Sequence, residues 1–202
     1  MPRADATTPT TPTTPTTIAA ALALAGAALA QPAITIEVDN PVLRPGESTV
    51  VTMWAGFDPS DYAMAGLETS LVTSVGSEGW SEAQLVAPMD GSGTWVGEPS
   101  ATGYDQIIAR QLHGLAGIYG DDSNPIAFWR ATYTAPVDVP SAFSIDLTTA
   151  SADYDVYIDR ESALSESRLA ELVEGSATIR VIPAPASALV LALGAVAARR
   201  RR

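Results

Sequence analysis

The middle of the chain alternates apolar and polar residues with a period of two. In ITIEVDN, residues Ile34, Ile36 and Val38 fall on one face and the polar residues on the other. Because successive side chains of a strand point to opposite sides, this pattern predicts a strand with one buried face. A turn at Pro45-Gly46 follows, and similar runs recur along the chain: TVVTMWAGF, GLETSLVTSV, WSEAQLVAPM, QIIARQLH, IAFWRATYTAP, FSIDLTT, DYDVYID and SATIRVI.

These runs predict an all-β fold, a single antiparallel β-sandwich of about nine strands over residues 31–182. In DYDVYID, the alternation places Tyr154, Val156 and Ile158 inward. One segment departs from the pattern, since the apolar residues of SESRLAELVEG recur at helical spacing and predict a short helix.

Composition excludes several functions. The chain has no cysteine, which rules out a disulfide framework, a thiolate metal site and a cysteine nucleophile. Residues 31–182 hold 22 acidic residues and six arginines, a net charge of −16. Such a body repels phosphate backbones, so we expect no nucleic-acid partner. The ordinary interpretation of this charge is a solvated acidic surface.

The N-terminal 30 residues predict a signal peptide. A Thr/Pro-rich leader precedes thirteen apolar residues, 18–30, a length typical of a signal-peptide core. The run ends on the small residues Ala28 and Ala30, and Gln31 follows, so we expect cleavage before Gln31. A glycosylated Thr/Pro stalk is the alternative, although a stalk belongs on the mature side of the apolar run.

The C-terminal residues 183–202 have three parts in a fixed order: a Pro-x-Pro step, thirteen uncharged residues and an arginine cluster. As a helix, residues 186–198 span roughly 20 Å, short of the roughly 30 Å hydrocarbon core. The arginines hold that end on the cytoplasmic side. We expect a transient membrane anchor, so that hydrophobic helical segments flank the sandwich at both termini. The residues concerned are Pro183, Ala184 and Pro185 at the step, and Arg199, Arg200, Arg201 and Arg202 at the membrane stop.

This tail, IPAPASALVLALGAVAARRRR, resembles a PEP-CTERM sorting signal of the planctomycete-like type, with Ala184 where the commonest form has Glu. The resemblance implies passage through the export machinery. It also implies cleavage by an exosortase-type transpeptidase and delivery to the cell surface or extracellular matrix.

The first two strands and their turn, VDNPVLRPGESTVVTMWAGF, resemble cohesin-like sandwich modules. The resemblance implies a nine-stranded jelly-roll that serves adhesion and not catalysis. It assigns no binding residue.

Few residues carry recognisable chemistry. His113 is the only histidine, and nothing near it supplies the carboxylate and nucleophile of a triad. We therefore predict no enzyme, no catalytic residue and no cofactor. Calcium is the one ion worth considering, because residues 90–93 and 120–125 form acidic turns, although such residues also favour plain turns. Trp95, between turn residues, is the tryptophan to test for sugar stacking.

Three functions remain open. The first is a non-catalytic surface or matrix protein that adheres to a surface polysaccharide or matrix protein. The second is a carbohydrate-binding module, which needs exposed aromatic residues. The third is a secreted hydrolase, which needs a deep pocket with converging carboxylates.

Overall fold

A computed structural model describes residues 32–111, 122–150, 152–159 and 165–183, and every regular element in these ranges is a β-strand. There are twelve such strands: β1 (Ala33–Val38), β2 (Val42–Leu43), β3 (Ser48–Gly56), β4 (Ala63–Thr73), β5 (Trp80–Leu85), β6 (Glu98–Ser100), β7 (Gly103–Arg110), β8 (Ile126–Thr134), β9 (Phe143–Thr149), β10 (Ala152–Tyr157), β11 (Glu166–Leu172) and β12 (Ser176–Val181).

The strands form two sheets that enclose one hydrophobic core. The first sheet has the order β1-β3-β8-β5 and the second the order β11-β10-β4-β9-β12-β2, with β7 beside β4 and β6 beside β7. Inward residues of both sheets, such as Met53, Trp129, Leu71 and Ile145, are fully buried in one cluster. Among the described residues, the apolar members of this cluster lie between Ile34 and Val181.

The predicted β-sandwich is confirmed, with two differences. Twelve strands are present where about nine were expected, because β2, β6 and β11 carry too little alternation to be recognised. The strand ladders are antiparallel except for β2 and β12, which pair in parallel. This pair arises because β2 continues in the direction of β1 and joins the edge of the opposite sheet.

Most predicted inward positions are buried, including Ile34, Ile36, Tyr154 and Val156. Ile158 was expected inward and is 44% exposed. The prediction fails there because β10 ends at Tyr157, so the alternation of the strand no longer determines which face Ile158 occupies.

The predicted helix in SESRLAELVEG is wrong, because Glu166–Leu172 forms the edge strand β11. This strand pairs antiparallel with β10, and Tyr154 lies opposite Arg168. Unpaired backbone groups on β10 accept a further strand, and this tertiary pairing overrides the helical spacing of a short segment.

The described chain leaves the sandwich at opposite ends. Near the start, the Ile34 amide donates to the Val173 carbonyl over 2.9 Å. At the other end, the Ile182 amide donates to the Leu43 carbonyl over 2.9 Å, and Pro183 follows. The predicted terminal helical segments fall on residues outside the described ranges. No helix within the ranges described is long and apolar enough to cross a membrane.

Candidate functional site

A row of four opposed residues crosses the outer surface of the second sheet. Asp153 of β10 lies opposite Glu68 of β4, and Glu68 lies opposite Ile108 of β7. Ile108 in turn lies opposite Trp95, which bridges to β7 from the preceding loop. Directly opposed residues of neighbouring strands share a face. We call the surface formed by the outward residues of β4, β7 and β10, together with residues 89–95, the cleft face.

A second row of the cleft face contains a gap. Asp155 of β10 lies opposite Gly66 of β4, and Gly66 lies opposite Arg110 of β7. Asp90 bridges to Arg110 at the far end of this row. Because Gly66 has no side chain, an open cleft of about 190 Å³ lies over it. Its walls come from both rows and from Ser167 of β11.

The cleft carries charged groups that the fold itself leaves without partners. The carboxylates of Glu68 and Asp153 make no hydrogen bond or ion pair with any described residue, and the Arg110 guanidinium makes none either. Asp155 is different, since it accepts a hydrogen bond from the Ser167 hydroxyl. Opposed like charges on neighbouring strands destabilise a sheet, so the fold gains nothing from Glu68 facing Asp153.

An ion pair fixes the edge of the sheet beside the cleft. Arg168 of β11 donates a hydrogen bond from Nε to the Asp61 carboxylate over 3.1 Å. Its Nη2 forms an ion pair with the same carboxylate. The Asp61 side chain is only 4% exposed. The hydrogen bond that Arg168 donates to Asp61 raises the pKa of the Arg168 guanidinium. Burial, and then the charge of Asp61, raise the pKa of Tyr154 on the neighbouring strand.

Trp95 is the exposed tryptophan of the molecule, as the sequence suggested. Its ring is 46% exposed, while its backbone is fixed by two hydrogen bonds of 2.8 Å to Ile108. By contrast, Trp129 is fully buried and its indole N–H donates to the Val96 carbonyl. Trp54 and Trp80 are half-buried. The arrangement presents one exposed aromatic ring on a hydrogen-bonded backbone, in the same row as the cleft residue Ile108.

The other residues that the sequence singled out form no site together. His113 and Asp121 lie outside the described ranges, and Asn124 of the second acidic turn binds the Phe57 backbone through both ends of its carboxamide. The described part of the chain contains no group of three or more His, Cys, Asp or Glu residues that could hold a metal ion. The absence of a cofactor remains a prediction.

The targeting residues fall almost wholly on undescribed positions. Of these residues, the structure describes only Pro183, which is half-buried immediately after the last backbone hydrogen bond of the sandwich. Those outside the described ranges are Ala28, Ala30, Gln31, Ala184, Pro185, Arg199, Arg200, Arg201 and Arg202. Their assignment rests on the sequence alone.

Sequence reasoning missed Gly66, Glu68, Ile108 and the pairing that brings Asp153 to them. The alternation of DYDVYID did indicate that Asp153 and Asp155 face outward, and both line the cleft. The missing information was register, because only the ladder of β4 with its neighbours places these residues in common rows.

Comparisons with known proteins bear on the fold. A cohesin module from a family 33 glycoside hydrolase of Clostridium perfringens superposes with a TM-score of 0.52, at 12% identity over 76% of this chain and 98% of that chain. The seventh ScaB type I cohesin of Pseudobacteroides cellulosolvens gives 0.49, at 14% identity over 75% and 92%. A type I cohesin from a cohesin–dockerin complex of Clostridium thermocellum gives 0.47, at 12% identity over 75% and 95%.

The first of these similarities establishes a cohesin-like β-sandwich, which confirms the resemblance seen in the first two strands. No protein-family profile matches the sequence, and no curated protein does. At 12% identity the similarity concerns the fold and leaves the site to be argued from its own residues.

Proposed function

We propose that this protein is a non-catalytic binding domain, displayed at the cell surface, that engages a partner protein through the cleft face. The observation that carries the proposal is Trp95, an exposed ring on a fixed backbone, in one row with the unpartnered carboxylates of Glu68 and Asp153. Tryptophan is enriched among the residues that dominate protein interfaces. The resemblance to cohesin-like modules, which implies adhesion, supports the same conclusion.

Catalysis fits this face poorly. The cleft measures about 190 Å³ and opens on the outer surface of a sheet, whereas small-molecule sites usually occupy about 300–1,000 Å³. A hydrolase needs a deep pocket in which an acid and a base converge on the substrate. Glu68 and Asp153 are both solvent-exposed, so the cleft offers no such site.

A carbohydrate ligand is the second candidate, and Trp95 is the observation that favours it. Aromatic rings stack on sugars, and neighbouring carboxylates could accept hydrogen bonds from hydroxyl groups. The cleft face carries one exposed tryptophan and no second aromatic ring in its two rows. A polysaccharide chain needs several contacts in line, and for this reason we place a protein partner first.

Export and sorting form the second part of the proposal. We propose that signal peptidase cuts before Gln31 and that an exosortase-type transpeptidase processes the tail that begins at Pro183. The position of the cleft supports its display at the cell surface. From the level of Val181, the path to Glu68 runs six residues along β9 and then three residues along β4. At roughly 3.3 Å per residue, Glu68 is on the order of 30 Å from Val181 along the strands, so the cleft would be held clear of a membrane that anchors the tail.

Intact-mass analysis of protein isolated from its native cell surface tests this part. We expect a chain that starts at Gln31 and has lost its four terminal arginines. Recovery of the full-length chain from that surface would contradict the sorting proposal while leaving the cleft face untouched.

Site-specific photo-crosslinking tests the binding function. A benzophenone amino acid replaces Trp95 in one variant and Trp54, on the opposite sheet, in a second. We expect position 95 to capture one protein that position 54 does not, and the purified partner to bind the wild-type chain directly. Identical capture from both positions would contradict the proposal.

A further inference from the structure

We infer that the cleft over Gly66 receives a single cationic side chain, arginine or lysine, from a partner segment whose neighbouring apolar residue lies on Ile108 and Trp95. This inference rests on the proposed protein-binding function and specifies the chemistry of the partner. The shape of the cleft, its charges and its apolar rim all favour such a segment.

The shape of the cleft follows from one missing side chain. Gly66 lies between Asp155 and Arg110 in its row, and Glu68 is the next outward residue along β4. A Cβ atom at position 66 would lie 3.1 Å from the Ala109 carbonyl oxygen and 3.2 Å from the Arg110 Cγ. Even alanine would therefore crowd the floor. The resulting opening of about 190 Å³ accommodates one long side chain and little more.

The charges select a cation. Glu68 and Asp153 face each other with no described partner, and Asp155 stands in the next row on the same β10 side. A cation placed among them replaces repulsion by attraction at short range. Arg110 lines the opposite wall and repels a cation from the β7 side. The electrostatic field therefore directs the incoming charge towards β10.

The apolar rim determines what accompanies the cation. Ile108 is half-buried and lies directly between Glu68 and Trp95 in the first row. Neighbouring strands are about 4.8 Å apart, so the Trp95 backbone is about two strand spacings from Glu68. Side chains of an extended peptide share a face only at every second residue, roughly 7 Å apart, and the reach of a long basic side chain covers the remaining distance. The partner segment therefore carries an aliphatic residue and a basic residue two positions apart.

Two peptides that differ in charge alone test the inference. N-acetyl-leucyl-alanyl-arginine amide is titrated into the ¹⁵N-labelled protein, and the amide shifts are compared with those from the citrulline analogue, which is neutral and nearly isosteric. We expect shifts at Gly66, Ile108 and Arg110, with the arginine peptide bound about fivefold more tightly, the effect of one exposed ion pair. Raising NaCl should remove the difference.

Matched variants locate the charge effect. The double variant Glu68→Gln/Asp153→Asn should abolish the preference for arginine over citrulline. The control Asp39→Asn/Asp138→Asn removes the same charge from exposed positions at the far end of the sandwich and should preserve it. Gly66→Ala should weaken both peptides, with a melting curve to verify folding.

Three results would overturn the inference: equal affinity for the two peptides, shifts that cluster elsewhere, or no shifts with either peptide. If selective crosslinking at position 95 persisted despite any of these results, the proposed protein-binding function would stand and only the cation pocket would be rejected.

Discussion

The outer surfaces of the two sheets differ in how their polar groups are used. On the first sheet, the surface formed by the outward residues of β1, β3, β8 and β5, which we call the hydroxyl face, has several polar groups that bind one another, although Arg130 has no side-chain partner among the described residues. Three such pairs are Trp54 Nε1 with Glu37 at 2.9 Å, Ser48 with Thr134 at 2.9 Å, and Thr132 with Glu82 at 3.1 Å. On the cleft face, Glu68, Asp153 and Arg110 have no described partner.

In a fold shared by proteins of low sequence identity, this difference indicates which surface to examine for function. A surface whose polar groups are mutually bonded contributes to the stability of its own sheet. Opposed carboxylates and an exposed indole contribute little to that stability, which is why the proposed partner is placed on the cleft face. The predictions below test whether the two faces are indeed divided between stability and binding.

The largest effect is expected at the edge that supports the cleft. Arg168→Met leaves Asp61 buried without a counter-charge, which should destabilise the sandwich by about 2–3 kcal/mol, since removal of one partner from a buried pair is costly and Arg168 is partly exposed. Urea unfolding of residues 31–182 measures the change. Arg180→Met, at an exposed strand position with no ion pair to a described residue, is the control and should change stability by less than about 0.5 kcal/mol. Equal losses in the two variants would show that the ion pair is not important.

Substitution of the two surface tryptophans should lower stability by different amounts. Trp54→Ala removes a half-buried ring and its hydrogen bond to Glu37, and we expect a loss of about 1.5 kcal/mol. Trp95→Ala should cost only about 0.5 kcal/mol, because the ring is 46% exposed and the backbone bonds to Ile108 remain. A greater loss of stability for Trp95→Ala than for Trp54→Ala in urea titrations would contradict the division of the two faces between stability and binding.

Salt should stabilise the whole acidic body. Residues 31–182 carry a net charge of −16, and repulsion among exposed carboxylates is screened over about 10 Å at 0.1 M salt. Thermal melts should therefore shift upwards in NaCl, and CaCl₂ at equal ionic strength should give the same midpoint. A higher midpoint in CaCl₂ would instead reveal a calcium site, by preferential binding to the folded state.

The smallest effect is expected when one carboxylate on each face is replaced by an amide. Glu68→Gln relieves the repulsion with Asp153 and should raise the melting temperature by about 1–2 °C at low salt. Glu37→Gln replaces the carboxylate that accepts the hydrogen bond of the Trp54 N–H by a weaker acceptor. This variant should lower the melting temperature. Both shifts should shrink at high salt. Shifts of the same sign in the two variants would contradict the comparison.

Most of the fold could be predicted from the sequence because alternation reports burial directly. Ile34, Ile36, Tyr154 and Val156 were assigned inward and are buried. The turn at Pro45-Gly46 is also present, with Gly46 at a φ of +77°, a conformation that glycine adopts readily. The failures occur where tertiary pairing decides, as in β11, or where a residue lies beyond the end of its strand, as at Ile158.

The candidate site could be predicted only in fragments. Trp95 was identified from the turn residues around it, and the acidic residues of DYDVYID were placed on the outer face. The cleft depends on Gly66 lying between Asp155 and Arg110, which are separated from it by 89 and 44 residues along the chain. Such pairings depend on the register of three strands, which local patterns do not specify.

The most direct test of the account measures the affinity of the purified crosslinked partner for three chains: wild type, Trp95→Ala and Trp54→Ala. If the cleft face is the binding surface, Trp95→Ala should weaken binding by about 30-fold, equivalent to about 2 kcal/mol at an interface centre, while Trp54→Ala binds like the wild type. Calorimetric titration at fixed salt provides the dissociation constants. Unchanged affinity of Trp95→Ala, or a loss confined to Trp54→Ala, would contradict the central claim that the cleft face binds the partner.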